Sequence, residues 1–78
     1  MKDISWRIKL THRNDGVTIS TVKVPFLNWY GDYETAIRID NEPWRIYKGY
    51  STQKDAINGH EELEKMSREE ILKLSFIG

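Results

Sequence analysis

His60 and Glu34 are the two side chains whose types could do chemistry together. An imidazole with an unperturbed pKa near 6.5 suits proton transfer or metal ligation, and a carboxylate on a neighbouring strand would orient it. Those two are the weak metal candidates of the chain. A structural reading competes with the chemical one: His60 would sit where a helix meets a sheet and hydrogen-bond a backbone carbonyl or Glu34, with Gly59 letting the helix approach a strand. The second histidine, His12, lies in a turn beside Arg13, a poor neighbour for a cation. Nucleophile motifs, phosphate-cradling glycine loops and helix-borne histidine pairs are absent from the sequence, so the expectation is a non-enzyme with no cofactor and no resident metal.

A second set of residues is suited to recognition. Three tryptophans and four tyrosines in 78 residues are too many for a small core to bury. Trp29, Tyr30, Trp44, Arg45 and Tyr47 are the expected partner-binding residues, since Trp, Tyr and Arg are enriched among interface hot spots. The alternative is nucleic-acid binding, in which Arg7, Lys9 and Arg13 of a basic N-terminal hairpin neutralise phosphates and aromatics stack on bases. A metal-dependent enzyme centred on His60 and Glu34 is the third reading.

The elements that must hold these residues follow from periodicity. Ile4, Trp6, Ile8 and Leu10 alternate with polar residues, predicting a first strand with Trp6 in the core and with Arg7 and Lys9 together on its other face. His12-Arg13-Asn14-Asp15-Gly16 supplies turn chemistry, and Val17-Thr18-Ile19 starts a second, antiparallel strand. Val17 and Ile19 are out of phase with Val22 and Val24, which predicts a bulge or twist near Ser20-Thr21, and Pro25 then ends the pairing. An aromatic loop follows. Tyr33–Ile39 gives a third strand, Asp40-Asn41-Glu42-Pro43 a turn, and Trp44–Lys48 a fourth strand.

Helix initiation is expected at Ser51 or Thr52, and Thr52 with Asp55 resembles a capping box, so a helix is expected from about Gln53 with Ala56, Ile57, His60, Leu63 and Met66 or Ser67 on its buried stripe. Ser67-Arg68-Glu69-Glu70 repeats the capping pattern and predicts a second short helix, with one continuous helix as the alternative. The whole is one α+β domain over residues 1–78: a four-stranded antiparallel sheet with one or two C-terminal helices on one face.

Composition narrows the rest. The chain is short enough that its core must be thin, and with no cysteine it has neither a disulfide framework nor a thiolate zinc site. No apolar run is long enough for a signal peptide or a membrane span, which points to a cytoplasmic protein without membrane contact. Twelve basic residues balance twelve acidic ones, but unevenly: Lys2, Arg7, Lys9, Arg13 and Lys23 weight the first 30 residues, and Glu61, Glu62, Glu64, Glu69 and Glu70 weight the last 18. Open sheet edges in so small a domain would also permit homodimerisation.

Ser20-Thr21-Val22, Tyr30-Gly31, Tyr33-Glu34-Thr35, and Tyr50-Ser51-Thr52 followed by Ala56 and Gly59-His60 carry a resemblance. This pattern resembles a family of short, uncharacterised phage and prophage proteins sharing a Ser-Thr-Val strand, a (Phe/Tyr)-Glu-Thr strand and a Tyr-Ser-Thr-x-x-x-Ala-x-x-Gly-His helix start. The similarity covers roughly residues 20 to 63. It departs after Ser-Thr-Val, where family members carry an Asp-His pair and this chain has Leu27-Asn28, so that an Asp, His, Glu and His set is reduced to Glu34 and His60. The resemblance implies a phage source and the cytoplasm of a bacterial host. With it comes an expected role: an accessory protein that binds a host protein, for example as an anti-CRISPR-like inhibitor of host defence or as an inhibitor of transcription.

Overall fold

A computed structural model describes residues 6–24 and 31–78. Its elements are strands β1 (Arg7–His12), β2 (Val17–Lys23), β3 (Tyr33–Ile39) and β4 (Arg45–Tyr50), then helices α1 (Gln53–Lys65) and α2 (Arg68–Leu72). The strands form one antiparallel sheet in the order β1-β2-β3-β4, so each pairs with its neighbour in sequence. This is the α+β architecture that the periodicity predicts. Val17, Ile19 and Ile37 on the sheet pack against Leu63 of α1 and Ile71 of α2, which fixes both helices on one face. No helix among the described residues is long and apolar enough to cross a membrane.

The helix boundaries fall where the capping residues place them. Thr52 precedes α1 in an extended conformation and its hydroxyl accepts from the Asp55 amide at 3.1 Å. Ser67 starts α2 with a full capping box: its hydroxyl accepts from the Glu70 amide at 3.1 Å, and the Glu70 carboxylate accepts from the Ser67 amide at 2.8 Å. Gly16 turns the β1–β2 hairpin at φ +88°, a conformation that disfavours side chains. A Cβ there would also fall 2.2 Å from the Asp40 carboxylate. That carboxylate in turn takes both terminal nitrogens of Arg68, at 3.2 and 2.9 Å, and Arg68 also donates to the Asp15 carbonyl at 2.7 Å. One arginine thereby fastens the two turns to the start of α2.

Two expectations about the sheet are corrected. The predicted bulge in β2 is absent: Val17 through Lys23 pair with β3 without a break, and the irregularities lie in β1 between Arg7 and Lys9 and in β4 opposite Thr35 and Ala36. The helix-facing row of β2 is therefore Val17, Ile19 and Thr21, and Val22 faces away. The second correction concerns β1. Its polar residues Lys9 and Thr11 reach the side chains of α1, so Leu10, between them, faces away from the helices, paired with Ser20. Trp6 is 44 % exposed and is no core residue. Alternation located the strand but named the wrong face, because an edge strand can meet the polar flank of a helix.

The outer edge of β4 carries the end of the chain. The Ile46 amide donates to the Gly78 carbonyl at 3.1 Å, and the Ile77 amide donates to the Ile46 carbonyl at 2.9 Å. Capping part of an edge in this way limits pairing with other chains.

Candidate functional site

His60 lies on the buried stripe of α1 between Ala56 and Leu63, and it is 0 % exposed. Its Nδ1 is 2.7 Å from the Thr21 hydroxyl and its Nε2 is 2.9 Å from the Thr11 hydroxyl. Thr21 also meets the Thr35 hydroxyl at 2.6 Å, across the β2–β3 pair. Thr11 completes the set by donating to Glu64, one turn along α1 from His60.

The direction of each bond follows from Glu64. Its carboxyl is held below the usual range, first by the Thr11 hydroxyl and then by Lys9, so it is an ionised group that only accepts. Thr11 spends its single proton on Glu64 and must accept from His60, which places the imidazole proton on Nε2. Burial pushes the His60 pKa down, against the pull of Glu64, so the ring is neutral and Nδ1 accepts from Thr21. Thr21 then accepts from Thr35. The result is one directed chain from Thr35 through Thr21, His60 and Thr11 to Glu64, flanked by Lys9 at 3.3 Å from Glu61 and 3.4 Å from Glu64.

This arrangement does not prepare His60 for catalysis. Both ring nitrogens are engaged by protein hydroxyls and no part of the ring meets solvent, so it has no lone pair or proton to offer a substrate. What it does is bind α1 to β1 and β2 while satisfying buried polar groups that would cost about 1–3 kcal/mol each if left unpaired. Glu34 takes no part in orienting it. Glu34 pairs in register with Val22 and Gly49, one residue out of phase with Thr35, and so stands on the opposite face of the sheet from His60. The carboxylate that does reach His60 is Glu64, with Oε2 3.6 Å from Nε2.

Gly59 serves the close approach expected of it, toward Tyr50 of β4. A Cβ at position 59 would fall 2.1 Å from the Tyr50 hydroxyl oxygen and 2.5 Å from the ring carbon bearing it. Thr21, Thr35, Tyr50, Gly59 and His60 thus meet at one helix–sheet junction.

The basic hairpin is largely used up within the fold. Lys9 is paired with Glu61 and Glu64, and Arg13 is paired with Asp15 and donates to the Leu63 carbonyl at 3.1 Å. The bulge sets Arg7 in register with Val22 and Lys9 with Thr21, so these two do not share a face. Arg7 instead lies 5.7 Å from the Trp6 ring, with its Nε buried and without a hydrogen-bond partner among the described residues.

Of the expected recognition residues, Trp44 is 45 % exposed. Arg45 stacks its guanidinium 4.4 Å from the Phe76 ring centre. Tyr47 is partly buried against the core, edge-on to Phe76 at 6.3 Å, and so contributes packing. Trp29 and Tyr30 lie outside the described residues.

Sequence reasoning passed over Thr11, Thr21, Thr35 and Glu64. A signal was present. Thr21 continues the row of Val17 and Ile19, and Thr35 that of Ile37 and Ile39, so each is a hydroxyl at a position whose parity is apolar. Two such hydroxyls facing a helix that buries a histidine define the polar contact, and Glu64 is one helical turn from that histidine. Comparison with protein-family models, with curated proteins and with solved structures finds no match.

Proposed function

We propose that this chain is a small accessory protein that works by binding another protein and catalyses no reaction. The observation that carries the reading is that large apolar side chains stay exposed on so small a domain. Trp44 is 45 % exposed, Leu72 54 % and Ile77 44 %. Leu72, Pro43, Arg45 and Phe76 line a hollow of about 80 Å³, and the Ile77 amide is hydrogen-bonded to the Ile46 carbonyl. An exposed tryptophan, and an exposed leucine that shares a hollow with an arginine, are residue types enriched at interface hot spots and exposed patches.

The phage resemblance supplies the kind of partner: a protein of a bacterial host, bound to inhibit defence or transcription. Nucleic-acid binding has less support, because Lys9 and Arg13 already serve carboxylates of the same chain.

Affinity purification of the tagged chain from bacterial lysate, with and without nuclease, tests the reading. The expected result is a protein recovered in fixed ratio, resistant to nuclease and lost with Trp44→Ala, while that variant keeps the wild-type circular dichroism. Recovery of no stoichiometric protein, or of one indifferent to Trp44→Ala and Leu72→Ala alike, refutes it.

A further inference from the structure

A cleft of about 430 Å³ runs between β4 and α1. Its size falls within the roughly 300–1,000 Å³ typical of small-ligand sites. Tyr47 and Tyr50 line it from the strand, and Asp55, Asn58 and Glu62 line it from the helix. The spacing of three and four residues puts the helix side chains on one face of α1, and all three are exposed.

The charges in the cleft are incompletely matched. Ion pairs among the described residues engage Asp15, Asp40, Glu61 and Glu64 and leave out Asp55 and Glu62. The Tyr50 phenol, pushed up to about 12 mainly by burial, stays protonated at neutral pH. The remaining charge is Lys48, whose ammonium lies 5.5 Å from the Tyr50 ring centre. A tyrosine face that already attracts a cation, next to two unmatched carboxylates, is the chemistry that recognises ammonium and guanidinium groups.

We propose that this cleft receives a lysine or arginine side chain of a partner protein, its cationic head taking the place of Lys48 over Tyr50 and facing Asp55 and Glu62. The carboxylates outnumber the lysine, so a basic group gains attraction on entry, whereas an acidic one meets two like charges. The source of the cation rests on the binding function proposed above. The preference of the cleft for a cation does not.

The test is a ¹⁵N–¹H NMR titration of the whole chain with Nα-acetyl-arginine methylamide at low salt, with the uncharged citrulline analogue as control. Saturable shifts at the amides of Gly49, Asn58 and Gly59 are expected with arginine and not with citrulline. Glu62→Gln should weaken binding about threefold to fivefold, the factor for one unit charge at about 5 Å in water, and Lys48→Ala should tighten it by a similar factor. Both positions are exposed, and retained spectral dispersion verifies that the variants fold.

Absence of saturation, equal response to citrulline, or weaker binding by Lys48→Ala overturns the proposal. A lysate partner that depends on Trp44, found without any arginine response, overturns the cleft and spares the binding function. An arginine response with no protein partner keeps the cation preference but overturns both the partner as its source and the function proposed above.

Discussion

Acidification should destabilise the fold through His60 before the carboxylates begin to titrate. Burial lowers the pKa of this imidazole in the folded state, and Lys9 acts in the same direction, while Glu64 and Glu61 oppose them. The unfolded chain therefore takes up a proton at position 60 at higher pH than the folded one. Stability from this group is fully present above the unfolded value near 6.5 and is lost as pH falls from there toward the lower folded value. The slope can reach about 1.4 kcal/mol per pH unit. Because the unfolded imidazole is already half protonated at 6.5, the loss over the first unit below it is at most about 1 kcal/mol, a fall in Tm of no more than roughly 4–8 °C for a domain of this size.

The hydrogen-bond chain explains why the folded state resists the proton. A protonated Nδ1 would have to donate to Thr21, which could then no longer donate back. Thr21 would turn its hydroxyl to Thr35, and Thr35 would lose the acceptor it has now. Thermal melts followed by circular dichroism from pH 8 to 5, for wild type and for His60→Gln, isolate the effect because the variant retains His12. The wild type should lose Tm across pH 6.5 to 5.5. His60→Gln should start lower and show a flatter profile over the same window. Glu64, Asp15 and Asp40 have lowered pKa values, so their contributions disappear only at more acid pH, below their unfolded values near 4. A Tm that is constant or rises on acidification to pH 5.5, or an equal slope in both proteins, would refute the reasoning.

Two further perturbations test the packing. Gly59→Ala places a methyl against the Tyr50 ring and should cost about 1–3 kcal/mol by overpacking; in a Tyr50→Ala background the same change should become neutral or stabilising, since alanine is the better helix former by about 1 kcal/mol. Equal costs in the two backgrounds, measured by urea denaturation, would remove Tyr50 as the reason for the glycine. Trp6→Ala should cost less than about 2 kcal/mol because Trp6 is half exposed, whereas Ile19→Ala, at a fully buried position, should cost about 2–5 kcal/mol. The reverse order of urea midpoints would return Trp6 to the core.

The fold was legible wherever local chemistry decided it. Turn residues marked both described hairpins, and Thr52 and Ser67 placed both helix starts, because caps and turns act through backbone groups a few residues away. The faces of β1 were not legible. Its apolar row looked like the core row, yet Thr11 and Lys9 face α1 because hydroxyl, ammonium, imidazole and carboxylate complement one another across a contact some 50 residues apart in sequence. Periodicity weighs only water against oil and cannot register that match. Glu34 was chosen as the partner of His60 for its residue type, but strand parity sends it to the other face, and Glu64 was reachable from helical spacing alone.

A core this thin does not spend every buried position on apolar side chains: Thr21, Thr35 and His60 are wholly enclosed. Apolar contacts alone would hold α1 to the sheet with little preference for one axial position over a neighbouring one. The hydroxyl–imidazole chain supplies that preference. Sliding α1 by one turn, about 5.4 Å, would carry both ring nitrogens away from their threonines and leave several enclosed polar groups unpaired. The axial position of α1 also decides where Asp55 and Glu62 stand, one on each side of His60 along the same helix, and whether Gly59 lies against Tyr50. A histidine that meets no solvent thus sets the geometry of the cleft on the neighbouring face of its helix, which connects it to the cation site proposed there through helix position alone.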